Sequence, residues 1–204
     1  MEQPKHGNQR NESVLDSGVL RGVCRRQPEA LDKFFAHFYE RIFGYVAHLL
    51  QDRTLAEDVT HDAFLRIHRG LDRLDPDRDP TAWVFTVVTN TVRDHWRSKE
   101  HRAARRQVAM PSLEEISLAD PTPRVEHSLE EEQQQQVIRK ALTQLKDADR
   151  EVILLRNYEG LNSVAVAEIL EIKPEAVRQR HSRALARLSE VFHALSQKSG
   201  RDDV

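Results

Sequence analysis

The 204-residue chain carries 31 Lys or Arg against 33 Asp or Glu, a formal net charge of -2, with 39% hydrophobic and 31% charged residues, which suits a soluble chain of one or two small domains. Its one cysteine, Cys24, excludes an internal disulfide and fits a reducing cytosol. No apolar run approaches the length of a membrane span and the polar start lacks a signal-peptide core, so a cytoplasmic protein with no membrane partner is expected.

Helical patterning begins near Ser13 and recurs without any alternating strand pattern, so the chain reads as all-α. Residues 1–12 are expected to form a disordered tail. A first short helix is predicted over Ser13 to Arg25, with Cys24 near apolar neighbours. Pro28 and Glu29 open a second, running to Leu50, with Leu31, Phe34, Phe35, Phe38, Ile42, Tyr45, Val46 and Leu49 inward. Thr54 is the expected cap of a third, from Leu55 to Leu74, lined inside by Leu55, Val59, Ala63, Ile67, Leu71 and Leu74. Its outer face carries Glu57, Asp58, His61, Asp62, Arg66 and Arg69. Pro76 to Pro80, dense in Asp and Pro, must be a loop, and Thr81 starts a fourth helix that continues to about Arg106.

The fourth helix changes character along its length. Trp83 to Val88 is apolar and belongs to a core; from Asn90 onward amide, aromatic and cation mix: Asn90, Arg93, His95, Trp96, Arg97 and Lys99. Rings interleaved with cations suit single-stranded nucleic acid, because bases stack on the rings while cations follow phosphates. For Trp96, packing and stacking both remain open. Between Arg93 and Arg106 six Arg or Lys face two acids, whereas between Leu113 and Glu132 seven acids face Arg124 alone. Blocks of opposite sign point to a nucleic-acid face beside a repelled, solvated tether, expected as a flexible acidic linker over 107–131.

The second domain, 132–195, reads as a helix-turn-helix, followed by a tail over 196–204. Arg150 to Tyr158 puts Val152, Ile153, Leu155 and Tyr158 on or beside one helical face, and Gly160 closes that helix. Asn162 or Ser163 caps a short helix from Val164 to Leu170 with Val166, Ala167, Ile169 and Leu170 inward. Pro174 suits the first position of a third helix, and Glu175 complements its positive end. There Val177, Ala184, Leu185, Leu188 and Phe192 must pack and His181 turns inward, leaving Arg178, Gln179, Ser182, Arg183 and Arg187 exposed. Arg reads guanine bidentately, Gln reads adenine, and Ser or further Arg grip phosphate, so this face suits the major groove better than a merely solvated surface.

Trp83-x6-Asn90-x3-Asp94-x2-Arg97, preceded by Ala56-Glu57-Asp58-Val59 and Ala63-Phe64, resembles the second conserved region of bacterial RNA polymerase sigma factors of the extracytoplasmic-function group. The stretch from Leu142 to Leu188 is similar to their fourth region through Arg150-Glu-Val, Tyr158-Glu-Gly-Leu161, Val177-Arg178 and Arg183-Ala-Leu. The resemblance implies a first domain that holds core RNA polymerase through Asp58, His61, Asp62 and Leu65. It implies that this domain reads the minus-10 promoter element as a single strand through the loop before Thr81 and through Asn90, Arg93, Trp96, Arg97 and Lys99. The second domain would read the minus-35 element of promoter DNA as duplex through Arg178, Gln179, Ser182, Arg183 and Arg187. An anti-sigma partner is left open, and neither catalysis nor a metal or other cofactor is implied. The chain departs from the family at Ala165-Val166-Ala167, where an acidic residue and Ile-Ala are usual, at Glu171 for Gly, and at Ala176 for Thr. Glu171 in a left-handed turn is expected to be strained, and Ala176 cannot bond phosphate.

Two other functions would each account for part of the sequence. A helix-turn-helix regulator with an N-terminal sensing or dimerisation domain predicts tight duplex binding without polymerase. A metal phosphohydrolase is suggested by His61-Asp62, but no His-x3-His with a carboxylate accompanies that pair.

Overall fold

A computed structural model describes the backbone of residues 15–105 and 129–199, and the side chains of these except 99–105, 129–135 and 198–199. Residues 1–12, 200–204 and most of the acidic linker lie outside the described residues, whereas residues 196–199, expected in the C-terminal tail, continue the last helix. Among those described there is no strand. The elements are α1 (Ser17–Cys24), α2 (Pro28–Leu50), α3 (Arg53–Arg69), a one-turn 3-10 helix (Leu71–Arg73), α4 (Thr81–Arg105), α5 (Leu129–Thr143), α6 (Asp147–Ile153) running on as a π-helical turn (Leu154–Tyr158), α7 (Ser163–Leu170) and α8 (Pro174–Ser199). Helix α5 starts within the stretch expected as linker.

Helix α2 is the axis of the first half. Phe34, Phe38, Ile42, Tyr45, Val46 and Leu49 recur at helical spacing and are fully enclosed, each contributing about 1.5–3 kcal/mol by leaving water. Ala56, Val59, Ala63 and Ile67 of α3 and Val84, Phe85, Val88 and Val92 of α4 complete the packing. Tyr45 is wholly buried, with its hydroxyl 3.2 Å from Thr89 Oγ1 and its ring edge-on to Phe85. Burial drives its pKa far above the ordinary phenol value.

Two sequence expectations about α3 change. Its cap is Asp52, whose Oδ1 accepts from Leu55 N at 3.0 Å, and Thr54 sits inside the first turn. The helix stops at Gly70, and Leu71 continues as a tighter 3-10 turn, so Leu71 and Leu74 reach the core from a bend rather than from a continuous helix. At the start of α4, Asp79 Oδ1 accepts from Thr81 N at 2.9 Å and fixes where the Asp- and Pro-rich loop ends. Cys24 is half-buried, with Sγ 3.5 Å from Leu74 O.

The two halves share one core. Val152, Leu154, Leu155, Val166, Ala167, Ile169, Leu170 and Val177 join the cluster built on α2, α3 and α4, while Leu142, Leu145, Ile153 and Ala184, with Leu188 against them, form a second, smaller one. Helix α7 lies between α4 and α8 and packs on both. Among the described residues no helix is long and apolar enough to cross a membrane.

Candidate nucleic-acid interface

The geometry of α7, the turn and α8 follows from a few local choices. Asn162 Oδ1 accepts from Val164 N and Ala165 N, both at 2.9 Å, which satisfies two of the donors a helix start leaves unpaired. Gly160, at φ 71°, ends the π-helical turn ahead of it in a conformation that glycine adopts freely. Glu171 caps α7 at φ 55°, ψ 42°, the left-handed conformation expected of it. Ile172 N bonds Ala167 O at 3.1 Å, closing the turn, and Pro174 opens α8.

Helix α8 turns Val177 and Ala184 inward and half-buries Leu188 and Phe192. Leu185, expected to pack, is instead 36% exposed, because it stands one position past Ala184 and falls at the edge of the apolar stripe. Arg178, Gln179, Ser182, Arg183 and Arg187 are all exposed, as their spacing predicts. Arg178 Nη2 is 2.7 Å from Glu175 Oε1, and Arg187 Nη1 is 3.0 Å from Asp149 Oδ2. The Glu175 carboxyl is held below its usual range, first by its own backbone N–H and then by Arg178. His181 is half-buried, 2.6 Å from Asn157 Oδ1, and its pKa is lowered by burial and by Arg156.

The second candidate surface, on α4, is less open. Asn90 is exposed, but Arg93 donates Nη2 to Glu151 Oε2 at 2.8 Å and Nε to Glu151 Oε1 at 3.1 Å, a two-point grip from the other half of the molecule. That bond is the main reason its guanidinium pKa rises further. Trp96 is half-buried against the shared core, so packing occupies part of its ring. Arg97 lies 3.4 Å from Asp94, which also takes Arg66 at 2.6 Å. The Lys99 side chain lies outside the described residues. Beside α4, the loop before Thr81 is tied to α1 by Arg21 Nη2 on Asp77 Oδ1 at 2.8 Å.

The third candidate surface lies on α3. Asp58, His61 and Asp62 are exposed and Leu65 is 40% exposed. Next to them Tyr39 lies nearly parallel to both Phe64 and Phe43, with ring centroids 5.9 and 6.3 Å away, and is itself half exposed. An apolar shelf edged by acids is suited to a protein partner. Among the described residues no group of His, Cys, Asp and Glu stands where it could hold a metal ion.

The periodic reading passed over Arg41, Arg150, Glu151 and Glu159. Arg150 is buried and gives four hydrogen bonds to carbonyl oxygens: Leu142, Thr143, Leu145 and, across to α2, Leu49. Its pKa is drawn down by burial. The signal was present, since Arg150 and Glu151 sit beside Val152 and Ile153 on a helix too short to hold both away from the core.

The described surfaces fall within two recognised sequence families. Residues 34–102 match sigma-70 region 2, and residues 141–190 match sigma-70 region 4. The chain is 28% identical over 176 residues to the RNA polymerase sigma factor CarQ of Myxococcus xanthus, covering 85% of this chain and 95% of that protein. It is 30% identical over 149 residues to the RNA polymerase sigma factor CnrH of Cupriavidus metallidurans, covering 71% and 77%. In fold it resembles the sigma factor RpoE of Bartonella quintana, solved with the anti-sigma factor NepR, at a TM-score of 0.67 and 22% identity over 79% of this chain and 96% of that one.

Proposed function

The chain belongs to the sigma-70 family of bacterial RNA polymerase sigma factors, in its extracytoplasmic-function group, and from that premise we propose how its residues divide the work of starting transcription. It directs promoter-specific initiation, with core RNA polymerase and promoter DNA as partners. Arg178, Gln179, Ser182, Arg183 and Arg187 on α8 meet the minus-35 element as duplex. Their exposure on one helix, behind a capped α7 and a closed turn, is the observation that carries this assignment. Ser182 and the cations serve phosphates or guanine edges, and Gln179 an adenine edge.

In the first half, Asn90, Arg93, Trp96, Arg97 and Lys99 take the minus-10 element as a separated strand. Support comes from the exposed Asn90, the half-exposed Trp96 ring and the cations on either side of it. Unstacking a base opposes this by a few kcal/mol, which ring contact and phosphate pairing offset. Asp58, His61, Asp62 and Leu65 of α3, with the Tyr39 shelf beside them, dock on core polymerase, and the two domains are proposed as 13–106 and 132–195. An anti-sigma factor is a further expected partner, and RNA synthesis itself stays with the polymerase.

Run-off transcription on genomic fragments, with purified core enzyme and this chain, tests the reading. Discrete transcripts that need both components are expected. Core enzyme that is equally silent, or equally active, with and without the chain would overturn it.

A further inference from the structure

Helix α1 holds the loop between Leu71 and Pro80 at three places. Arg21 Nη2 meets Asp77 Oδ1 at 2.8 Å, Arg26 Nη2 meets Asp72 Oδ1 at 3.2 Å, and Cys24 Sγ lies 3.5 Å from Leu74 O. Arg26 Nη1 also donates to His68 O at 3.1 Å, just ahead of the loop. Asp72, Asp75, Asp77 and Asp79 repel one another along this short stretch, which favours an open chain. Asp75 and Asp79 are turned to backbone, their Oδ1 atoms accepting from Asp77 N at 3.0 Å and Thr81 N at 2.9 Å. The other two are the pair that α1 takes.

The helix that makes these contacts is itself firmly seated. A Cβ built on Gly22 would lie 2.7 Å from Ala30 Cβ, so α1 touches the start of α2 as closely as α2 admits the Tyr158 hydroxyl at Gly44. Arg26 closes α1 at φ 58°, with its N–H on Val23 O at 2.9 Å and Gln27 N on Gly22 O at 3.0 Å. Glycine is the usual residue in such a closure. An arginine there accepts backbone strain, and only its side chain offers what glycine lacks. The Arg21–Asp77 side chains are 56% and 68% exposed and those of Arg26–Asp72 45% and 73%, against 22% and 1% for the Arg41–Glu159 pair that joins the halves. Ion pairs this open add little to folding stability, so what they govern is where the loop stands.

We propose that α1 is a brace for the strand-reading loop, in which Arg21 and Arg26 are positioning residues that hold Asp77 and Asp72 so that the loop keeps one shape before DNA arrives and chooses the minus-10 base more sharply. A loop ordered in advance has less freedom to lose on binding, and one that samples several shapes accommodates several bases. The consequence for base choice rests on the minus-10 assignment above, whereas the brace itself does not.

The test uses the full chain in four forms: unaltered, Arg21→Glu, Arg21→Glu with Asp77→Arg, and Arg26→Gly. Without DNA, the bonded loop amides of Arg73, Leu74, Asp77 and Arg78 are followed by hydrogen exchange. They should exchange about two- to fivefold faster in Arg21→Glu and Arg26→Gly, the factor an exposed ion pair supplies, and return toward the unaltered rate in the charge swap. Helix content should be kept in all forms, and the unfolding midpoint of Arg26→Gly should be unchanged or higher, since glycine relieves the strain. With core polymerase, open-complex formation is then compared between a promoter taken from the run-off assay and copies with single minus-10 changes. The ratio should fall by about the same factor in Arg21→Glu and Arg26→Gly and recover in the swap. Equal exchange in every form overturns the brace. Faster exchange with an unchanged ratio overturns its part in base choice, and so does a loss that is uniform over all fragments and not recovered by the swap, which would make both arginines phosphate contacts. Core enzyme silent with every form overturns the minus-10 assignment, while hydrogen exchange still decides the brace. If one single variant loses helix content, the other decides.

Discussion

Arg150 of α6 donates through Nη1 to the carbonyl oxygen of Leu49, in the last turn of α2, at 2.9 Å, and so ends one helix with a side chain from the other half of the molecule. The same guanidinium takes Leu142, Thr143 and Leu145 carbonyls of the α5 end. Carbonyls in a final helical turn have no partner of their own, and a buried one left bare destabilises by about 1–3 kcal/mol. Arg150→Met should therefore lose about 3 kcal/mol or more, measured by urea unfolding. Arg150→Lys should recover little of it, because a point ammonium cannot span four oxygens as the planar fork does.

On α8, Arg178→Ala and Arg183→Ala should each remove about 1–3 kcal/mol of discrimination between a promoter and the same fragment altered at the upstream element. Co-purification with core polymerase should be unchanged. Loss of binding that is uniform over all sequences would reassign both side chains to phosphate contact.

On α3, Asp58→Lys with Asp62→Lys should weaken association with core polymerase in a pull-down while leaving the unfolding midpoint in place, since both side chains face water. Undiminished recovery of core would remove this face from the docking surface.

Glu171 holds φ 55°, ψ 42°, a conformation that disfavours a residue with a Cβ by about 1–2 kcal/mol. Glycine avoids that strain but has more freedom to lose on folding, so Glu171→Gly should stabilise by about 0.5–1 kcal/mol, read from denaturant midpoints.

The His181 pKa is held below its ordinary value of 6.5, first by burial and then by Arg156. The unfolded chain therefore takes up this proton more readily than the folded one, and stability should fall as pH drops through 6.5, levelling once the folded form is protonated too. His181→Gln should flatten that part of the profile when unfolding midpoints are compared between about pH 8 and pH 5.

Features with a local period were legible in the sequence. Pro28 and the aromatic spacing placed α2 over the limits it has, and Gly160, Asn162 and Pro174 marked the ends of the helix-turn-helix elements. The α3 start was misplaced at Thr54 because Asp52, two residues earlier, is an equally good cap by residue type, and Gly70 stopped the helix where the apolar line alone suggested continuation. The exposed cations of α8 could be read because they alternate with a buried line on the same helix. Arg93 could not, because its partner lies 58 residues away, and Arg41 is 118 residues from Glu159. Such pairs leave no trace in any helical window, so the sequence showed a cation on α4 without showing what already holds it.

Gly44 is the one glycine in α2, in mid-helix, where it is a poorer choice than alanine by about 1 kcal/mol. The handicap makes room for a tyrosine tip from beyond the linker. Positions 44 and 158 should accordingly vary together among homologous chains: a bulkier residue at the first with a shorter one at the second, or neither changed. Lineages that break the pairing would be those whose domains have lost the habit of nesting.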